Sequence, residues 1–223
     1  MTGKISEIFT SIQGEGIYAG ERQIFVRFYG CNLKCRFCDT RIDTYRKYQP
    51  QILLAQILSC GRDFHSISFT GGEPLLQKDF LKEILVLTKN AGYKNYLETN
   101  GTLPYALTEV IDFVDVVAMD VKLASSTGLL DYLAQHAAFL KIASQKEVFV
   151  KSVICEETRE EDLKKAIIML RRINPKAVFV LQPDSSQNYI SLEAKIGLFR
   201  EMALKNNLNA RIIPQMHKLA GVK

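Results

Sequence analysis

Seven short runs rich in β-branched and aromatic residues recur along the 223-residue chain, at 24–29, 66–70, 94–98, 114–120, 147–154, 177–182 and 210–213. Helical patterns lie between them. Phe80, Leu81, Ile84, Leu85 and Leu87 make an apolar stripe ending at Gly92, a residue suited to a helix C-terminus. Thr158 and Glu161 have the spacing of a capping box ahead of "LKKAIIMLRRI", and Pro175 stops that helix. Strands joined through helices cannot pair as hairpins, so the alternation predicts a parallel sheet in an α/β fold. About six units are too few to close an eight-stranded barrel. The expected architecture is an open, partial parallel β/α barrel, one domain spanning residues 1–223.

The unusual residues fall at the ends of these runs. A cysteine-bearing loop follows the first, "GGEP" the second, "ETNGT" the third, "DVK" the fourth and "QPDSS" the sixth. Ligands of α/β folds gather at the carboxyl ends of strands, so five such loops on one rim predict one active site. Residues 124–147 carry no recognisable motif.

Composition narrows the surroundings of that site. The formal net charge is +5, and basic residues alternate with acidic ones, as in "EETREEDLKK". That balance suits a small anionic substrate and gives no footprint for nucleic acid. No apolar run approaches the roughly 18 residues that span a bilayer, so no membrane partner is expected. The opening "MTGKISEIFT" lacks the apolar centre of a signal peptide, which points to the cytoplasm. In a reducing compartment, five cysteines read as metal or redox chemistry rather than a disulfide framework.

Three of the five stand within eight positions, Cys31, Cys35 and Cys38, in the spacing C-x3-C-x2-C. A non-catalytic zinc module would need a fourth ligand, from Cys60, Cys155, His65, His136 or His217. Inert core cysteines fit poorly with Asn32, Lys34, Arg36 and Asp39 among them. An iron–sulfur cluster normally takes four thiolates; with three, one iron stays open to a substrate or cofactor. A ferredoxin-like electron carrier would want the fourth cysteine. Arg27, on an otherwise apolar run, is either an outward solvated charge or a buried one that needs an anionic partner. Gly14 and Gly16 could serve only to shape a turn.

The cysteine spacing, with Phe37 before its last cysteine and "SFTGGEP" (68–74) one strand later, resembles the radical S-adenosylmethionine enzymes. "FTSIQGEGIYAGERQIFVRFYGCNLKCRFCDT" (9–40), "ETNGT" and "IIPQMHK" (212–218) are similar to the 7-carboxy-7-deazaguanine synthase family within them. The resemblance implies a 4Fe-4S cluster on Cys31, Cys35 and Cys38. It implies S-adenosylmethionine contacts from Phe37, Cys38, Asp39, Gly72, Asp120, Val121, Lys122, Gln182, Pro183, Asp184 and Ser185. Gly71 and Gly72 would let the backbone approach the methionine ammonium. Ile12, Gln13, Gly14, Arg27 and Thr70 would line a pterin pocket. Glu98 and His217 would contact substrate or handle protons, and Thr40 would ligate Mg2+. The implied lyase reaction converts 6-carboxy-5,6,7,8-tetrahydropterin to 7-carboxy-7-deazaguanine with loss of ammonia, for queuosine or 7-deazapurine biosynthesis. It needs a one-electron reductant, and the family suggests a homodimer. A radical activase of a glycyl-radical enzyme would share the cysteines and "GGEP" but not "SIQGEG" or "PQMHK".

Overall fold

The computed structural model describes residues 1–39, 43–216, 218 and 221. Nine strands form one sheet in the order β3-β1-β2-β4-β5-β6-β7-β8-β9. They are β1 (Gly3–Ile12), β2 (Arg22–Phe28), β3 (Arg46–Tyr48), β4 (Ser66–Gly71), β5 (Asn95–Thr99), β6 (Val116–Asp120), β7 (Glu147–Ile154), β8 (Phe179–Pro183) and β9 (Ala210–Ile212). From β2 through β4 to β9 every neighbouring pair is parallel, and from β4 onward neighbours are successive along the chain, the pattern of an open barrel wall. The helices are α1 (Pro50–Ser59), α2 (Lys78–Asn90), α3 (Pro104–Val110), α4 (Ala124–Thr127), α5 (Leu133–Ala143), α6 (Glu160–Ile173) and α7 (Tyr189–Lys205).

All seven sequence-predicted strands are present. β1 and β3 were not expected, and both pair antiparallel, β1 with β2 and β3 with β1. The β1–β2 register shifts between Ile5 and Glu7. A bulge of this kind breaks the period-two alternation that marks a strand in sequence. β3 is three polar-edged residues long, too short to carry a pattern.

α2 buries Phe80, Leu81, Ile84 and Leu85, the stripe read from sequence. The capping box at Thr158 is corrected. α6 starts after Arg159 with no side-chain cap. The Thr158 hydroxyl is turned inward, where it accepts the backbone N–H of Cys155 at 2.8 Å and meets Ser126 at 2.8 Å. Hydrogen-bonding the end of β7 has displaced capping. Pro175 does follow the end of α6, at Ile173.

Two apolar layers result from strand alternation. The larger lies between sheet and helices and includes Val26, Phe69, Leu97, Met119, Val150 and Leu181. A smaller one, Tyr96, Val116, Phe149 and Val180, fills the other side of the sheet, with Ile17 and Tyr18 of the β1–β2 connection packed against it. That connection closes the lower part of the barrel lumen and leaves its upper part open. Among the described residues, no helix is long and apolar enough to cross a membrane.

Candidate active site

Residues in register on parallel strands share a face. Arg27 is level with Thr70, Glu98 with Ala118, Asp120 with Lys151, and Val153 with Gln182. All eight line one cavity of about 920 Å3 in the upper lumen. Cys31, Cys35, Cys38, Phe37, Asp39, Ile12, Gln13, Gly14, Gly72, Lys122 and Asp184 line it as well. The structure therefore brings together most residues nominated from sequence. Val121, Pro183 and Ser185 do not line the cavity; Val121 lies in the helix-side core. Thr40 and His217 lie outside the described residues.

Glu98 is the centre of one wall. Its Oε1 accepts from Gln13 Nε2 at 2.8 Å and Ser68 at 3.0 Å, and its Oε2 accepts from Thr70 at 2.6 Å. Arg27 faces inward, which settles its orientation, and its anionic partner is Glu7 on β1 at 3.0 Å. Arg27 also lies over the Phe9 ring.

Beside it runs a chain of charges on β6 and β7 and the residues that follow β6. Lys122 pairs with Asp120 at 2.7 Å, and Lys151 reaches both Asp120 at 3.6 Å and Glu15. Burial opposes the Lys151 charge, but Glu15 and Asp120 more than offset it and raise its pKa. Burial likewise opposes the Asp120 charge, and Lys122 with Lys151 lowers its pKa below the ordinary value. Lys122 lies over the Phe37 ring at 5.3 Å.

The cysteine loop has little regular structure of its own and is held by distant segments. Arg36 N–H donates to the Thr127 carbonyl at 3.0 Å, so α4 supports the loop from behind. Asn32 donates to Thr102 at 2.9 Å and accepts from Asn100 at 2.8 Å. Gln215 donates to Glu15 at 2.6 Å and to Asp39 at 3.1 Å, and Lys218 pairs with Asp39.

"GGEP" is built to touch this loop. A Cβ on Gly72 would sit 1.9 Å from the Gly30 carbonyl oxygen, and one on Gly71, at φ +120°, 2.4 Å from Phe28 N. The glycines thus permit a close approach to the chain's own backbone beside Cys31, and both also line the cavity. Glu73 is fully buried and accepts from Leu75 N at 3.1 Å, Asn100 N at 2.8 Å and Thr99 at 3.0 Å. Burial pushes its carboxyl up to about 7.

Sequence reading missed Glu7, Glu15, Glu73, His136, Lys151 and Gln215. The test applied to Arg27 would have found Lys151, a lone charge on an otherwise buried strand. Glu7 was hidden with β1. Glu73 stood inside the "GGEP" motif and His136 among the possible zinc ligands, but neither was given its present role.

The Radical SAM superfamily matches residues 25–184. A 7-carboxy-7-deazaguanine synthase of Geobacter sulfurreducens is 34% identical, over 98% of this chain and 97% of that protein. One from Methanocaldococcus jannaschii is also 34% identical, over 98% and 99%. The chain belongs to the 7-carboxy-7-deazaguanine synthase family. The crystal structure of QueE from Escherichia coli, 23% identical, superposes with a TM-score of 0.65 over 97% of this chain and 95% of that one, a likeness of fold. Membership in the synthase family sets aside the glycyl-radical activase and the zinc module.

Radical S-adenosylmethionine enzymes carry a 4Fe-4S cluster and S-adenosylmethionine, and the residues present fit both. Each cysteine of such a cluster binds its own iron, so three free thiols around one cavity suffice without converging on a point. Burial pushes the Cys35 thiol up to about 11, so near neutral pH its proton leaves in exchange for a metal. Asp120 Oδ1 and Gln182 Oε1 are buried with no hydrogen-bond partner among the described residues. Orphaned acceptors are costly, and two of them on residues that line one cavity suit a ligand bearing N–H and O–H donors.

Proposed function

We propose that the protein converts 6-carboxy-5,6,7,8-tetrahydropterin to 7-carboxy-7-deazaguanine with release of ammonia, as a 7-carboxy-7-deazaguanine synthase of the queuosine or 7-deazapurine route. The observation that carries this reading is that one cavity is lined by two sets of groups. Three thiols, Phe37, Asp120 and Gln182 make up one set, and Glu98 with Gln13, Thr70 and Arg27 makes up the other.

Cys31, Cys35 and Cys38 hold the cluster. Phe37 to Asp39, Gly72, Asp120, Lys122, Gln182 and Asp184 are the S-adenosylmethionine contacts. Bound there, the cluster and S-adenosylmethionine supply one-electron reduction and hydrogen abstraction from the substrate carbon bearing the carboxylate. The chain's own residues bind and orient. Ile12, Gln13 and Gly14 edge the pterin pocket, Arg27 offers a guanidinium to the carboxylate, and Glu98 and Thr70 face the ring's N–H groups. Three donors already hold the Glu98 carboxylate in one orientation, so substrate meets a fixed acceptor. His217, like Glu98, would contact substrate or handle a proton.

Thr40 would supply a hydroxyl oxygen to Mg2+, a hard ion that favours oxygen ligands. An external one-electron reductant and a homodimer belong to the same reading. Residues 1–223 act as one domain, which the continuous nine-stranded sheet supports.

The test is an anaerobic assay of the reconstituted protein with S-adenosylmethionine, dithionite and the tetrahydropterin, read by mass spectrometry. The expected product is 7-carboxy-7-deazaguanine, with a rate that rises on adding Mg2+ and a blunted response in Thr40→Ala. Reductive cleavage of S-adenosylmethionine without any product from the pterin would overturn the substrate assignment.

A further inference from the structure

The only buried histidine among the described residues stands on α5, within the segment that carries no motif. Its ring joins two rim loops. Nε2 accepts the backbone N–H of Lys122 at 3.0 Å, and Nδ1 faces the Gly101 carbonyl at 3.1 Å. Lys122 N–H can only donate, so Nε2 must be the bare nitrogen and Nδ1 must carry the proton. Only this neutral tautomer satisfies both contacts.

Each contact has a consequence at the cavity. Lys122 is the residue whose ammonium pairs with Asp120 and covers Phe37. Gly101, at φ +67°, sits so close to the ring that an added Cβ would lie 3.1 Å from Nδ1. Its neighbour Asn100 donates to Asn32 in the cysteine loop, and Thr99 and Asn100 are the groups that Glu73 clamps from the front. The ring closes the same loop from behind.

We propose that His136 is a positioning residue that sets the β6 loop, and with it Lys122 and Asp120, for S-adenosylmethionine binding. The link to S-adenosylmethionine rests on the functional reading above; the link to the two loops does not.

Two substitutions divide the ring's functions. In His136→Gln the amide oxygen takes the place of Nε2 and can accept from Lys122. In His136→Asn the amide nitrogen takes the place of Nδ1 and can donate to Gly101. An unsatisfied buried N–H in the Asn variant corresponds to roughly tenfold in affinity. S-adenosylmethionine binding to the reconstituted enzyme should therefore weaken about tenfold in His136→Asn and within threefold in His136→Gln, with the KM for the pterin within twofold in both. Amide hydrogen exchange over residues 120–124 should speed up in the Asn variant and stay near wild type in the Gln variant.

Equal S-adenosylmethionine affinities in two folded variants, or a parallel loss of pterin affinity, would overturn the proposal. If exchange separates the variants while wild-type protein binds no S-adenosylmethionine, the functional reading fails and the loop brace stands. If exchange does not separate them, the brace itself fails.

Discussion

Glu73 and His136 hold the "ETNGT" loop from opposite sides, and burial moves their protonation in opposite directions. Burial raises the Glu73 carboxyl from its ordinary 4.5 to about 7. Burial lowers the His136 imidazole from 6.5 to about 4. Between pH 4.5 and 7 the native state keeps a proton on Glu73 that the unfolded chain has released, so this group makes stability fall as pH rises. Between pH 6.5 and 4 the unfolded chain takes up a proton on its histidine that native His136 refuses, so this group makes stability fall as pH drops. At about 1.4 kcal/mol per pH unit, each contributes about 3 kcal/mol across its window. The windows overlap from 4.5 to 6.5, where the two slopes cancel.

Removing either group exposes the other. Glu73→Gln should lower stability by about 1–3 kcal/mol, because one amide N–H then faces a backbone donor. Its stability should also climb relative to wild type as pH rises from 4.5 to 7. His136→Gln should show the reverse, a relative decline over pH 4 to 6.5. Lys122 acts on both Glu73 and His136, with Asp120 and Asp131 also acting on His136, and the two hold one loop, so the effects should couple rather than add. The chain has no tryptophan, so urea unfolding should be followed by circular dichroism at half-unit pH steps. Stability curves for wild type and Glu73→Gln that run parallel from pH 4.5 to 7 would refute the reasoning.

Gly72→Ala forces a Cβ to 1.9 Å from the Gly30 carbonyl oxygen and should cost about 1–3 kcal/mol and lower iron content, whereas Gly197→Ala, with open space around it on α7, should leave stability equal or slightly higher; melting and iron assays on both variants check this. Arg27→Ala should raise the KM for the pterin about tenfold and leave that for S-adenosylmethionine unchanged, a split that steady-state kinetics measures. Cys31→Ala, Cys35→Ala and Cys38→Ala should each abolish iron and sulfide loading. Cys60→Ala and Cys155→Ala should retain it, since neither residue lines the cavity.

The parallel strands were legible because each is buried on both faces and so reads as an apolar run, and β2 and β4 to β9 appear in sequence almost as they stand. β1 was not, because its bulge after Ile5 moves Glu7 and Phe9 onto the phase that regular alternation would give to their neighbours. The same distinction runs through the site. Cys31, Cys35 and Cys38 announce themselves by spacing, but Glu15, Lys151 and Gln215 meet across 136 and 200 residues of chain. Chemistry that depends on one loop is visible locally. Charge pairing across the lumen needs the strand register, and only the folded sheet supplies it.

That difference bears on how the cluster loop keeps its shape. Its contacts go to residues before α2, after β5, in α4 and near the end of the chain, through Glu73 N–H to Gly30, Asn100 to Asn32, Arg36 to Thr127 and Gln215 to Asp39. No helix or strand falls within the loop between Gly30 and Asp39. A single hydrogen bond contributes about 1 kcal/mol against a global stability of about 5–15 kcal/mol. Losing one of these contacts therefore leaves the barrel folded while shifting the arrangement of three thiols that must meet one cluster. Metal loading should respond before melting temperature does, and substitutions at Asn32, Asn100 or Gln215 belong to that class. The scaffold is stabilised by its two apolar layers, whereas the site is held by a few polar contacts of long sequence separation. The two can fail independently.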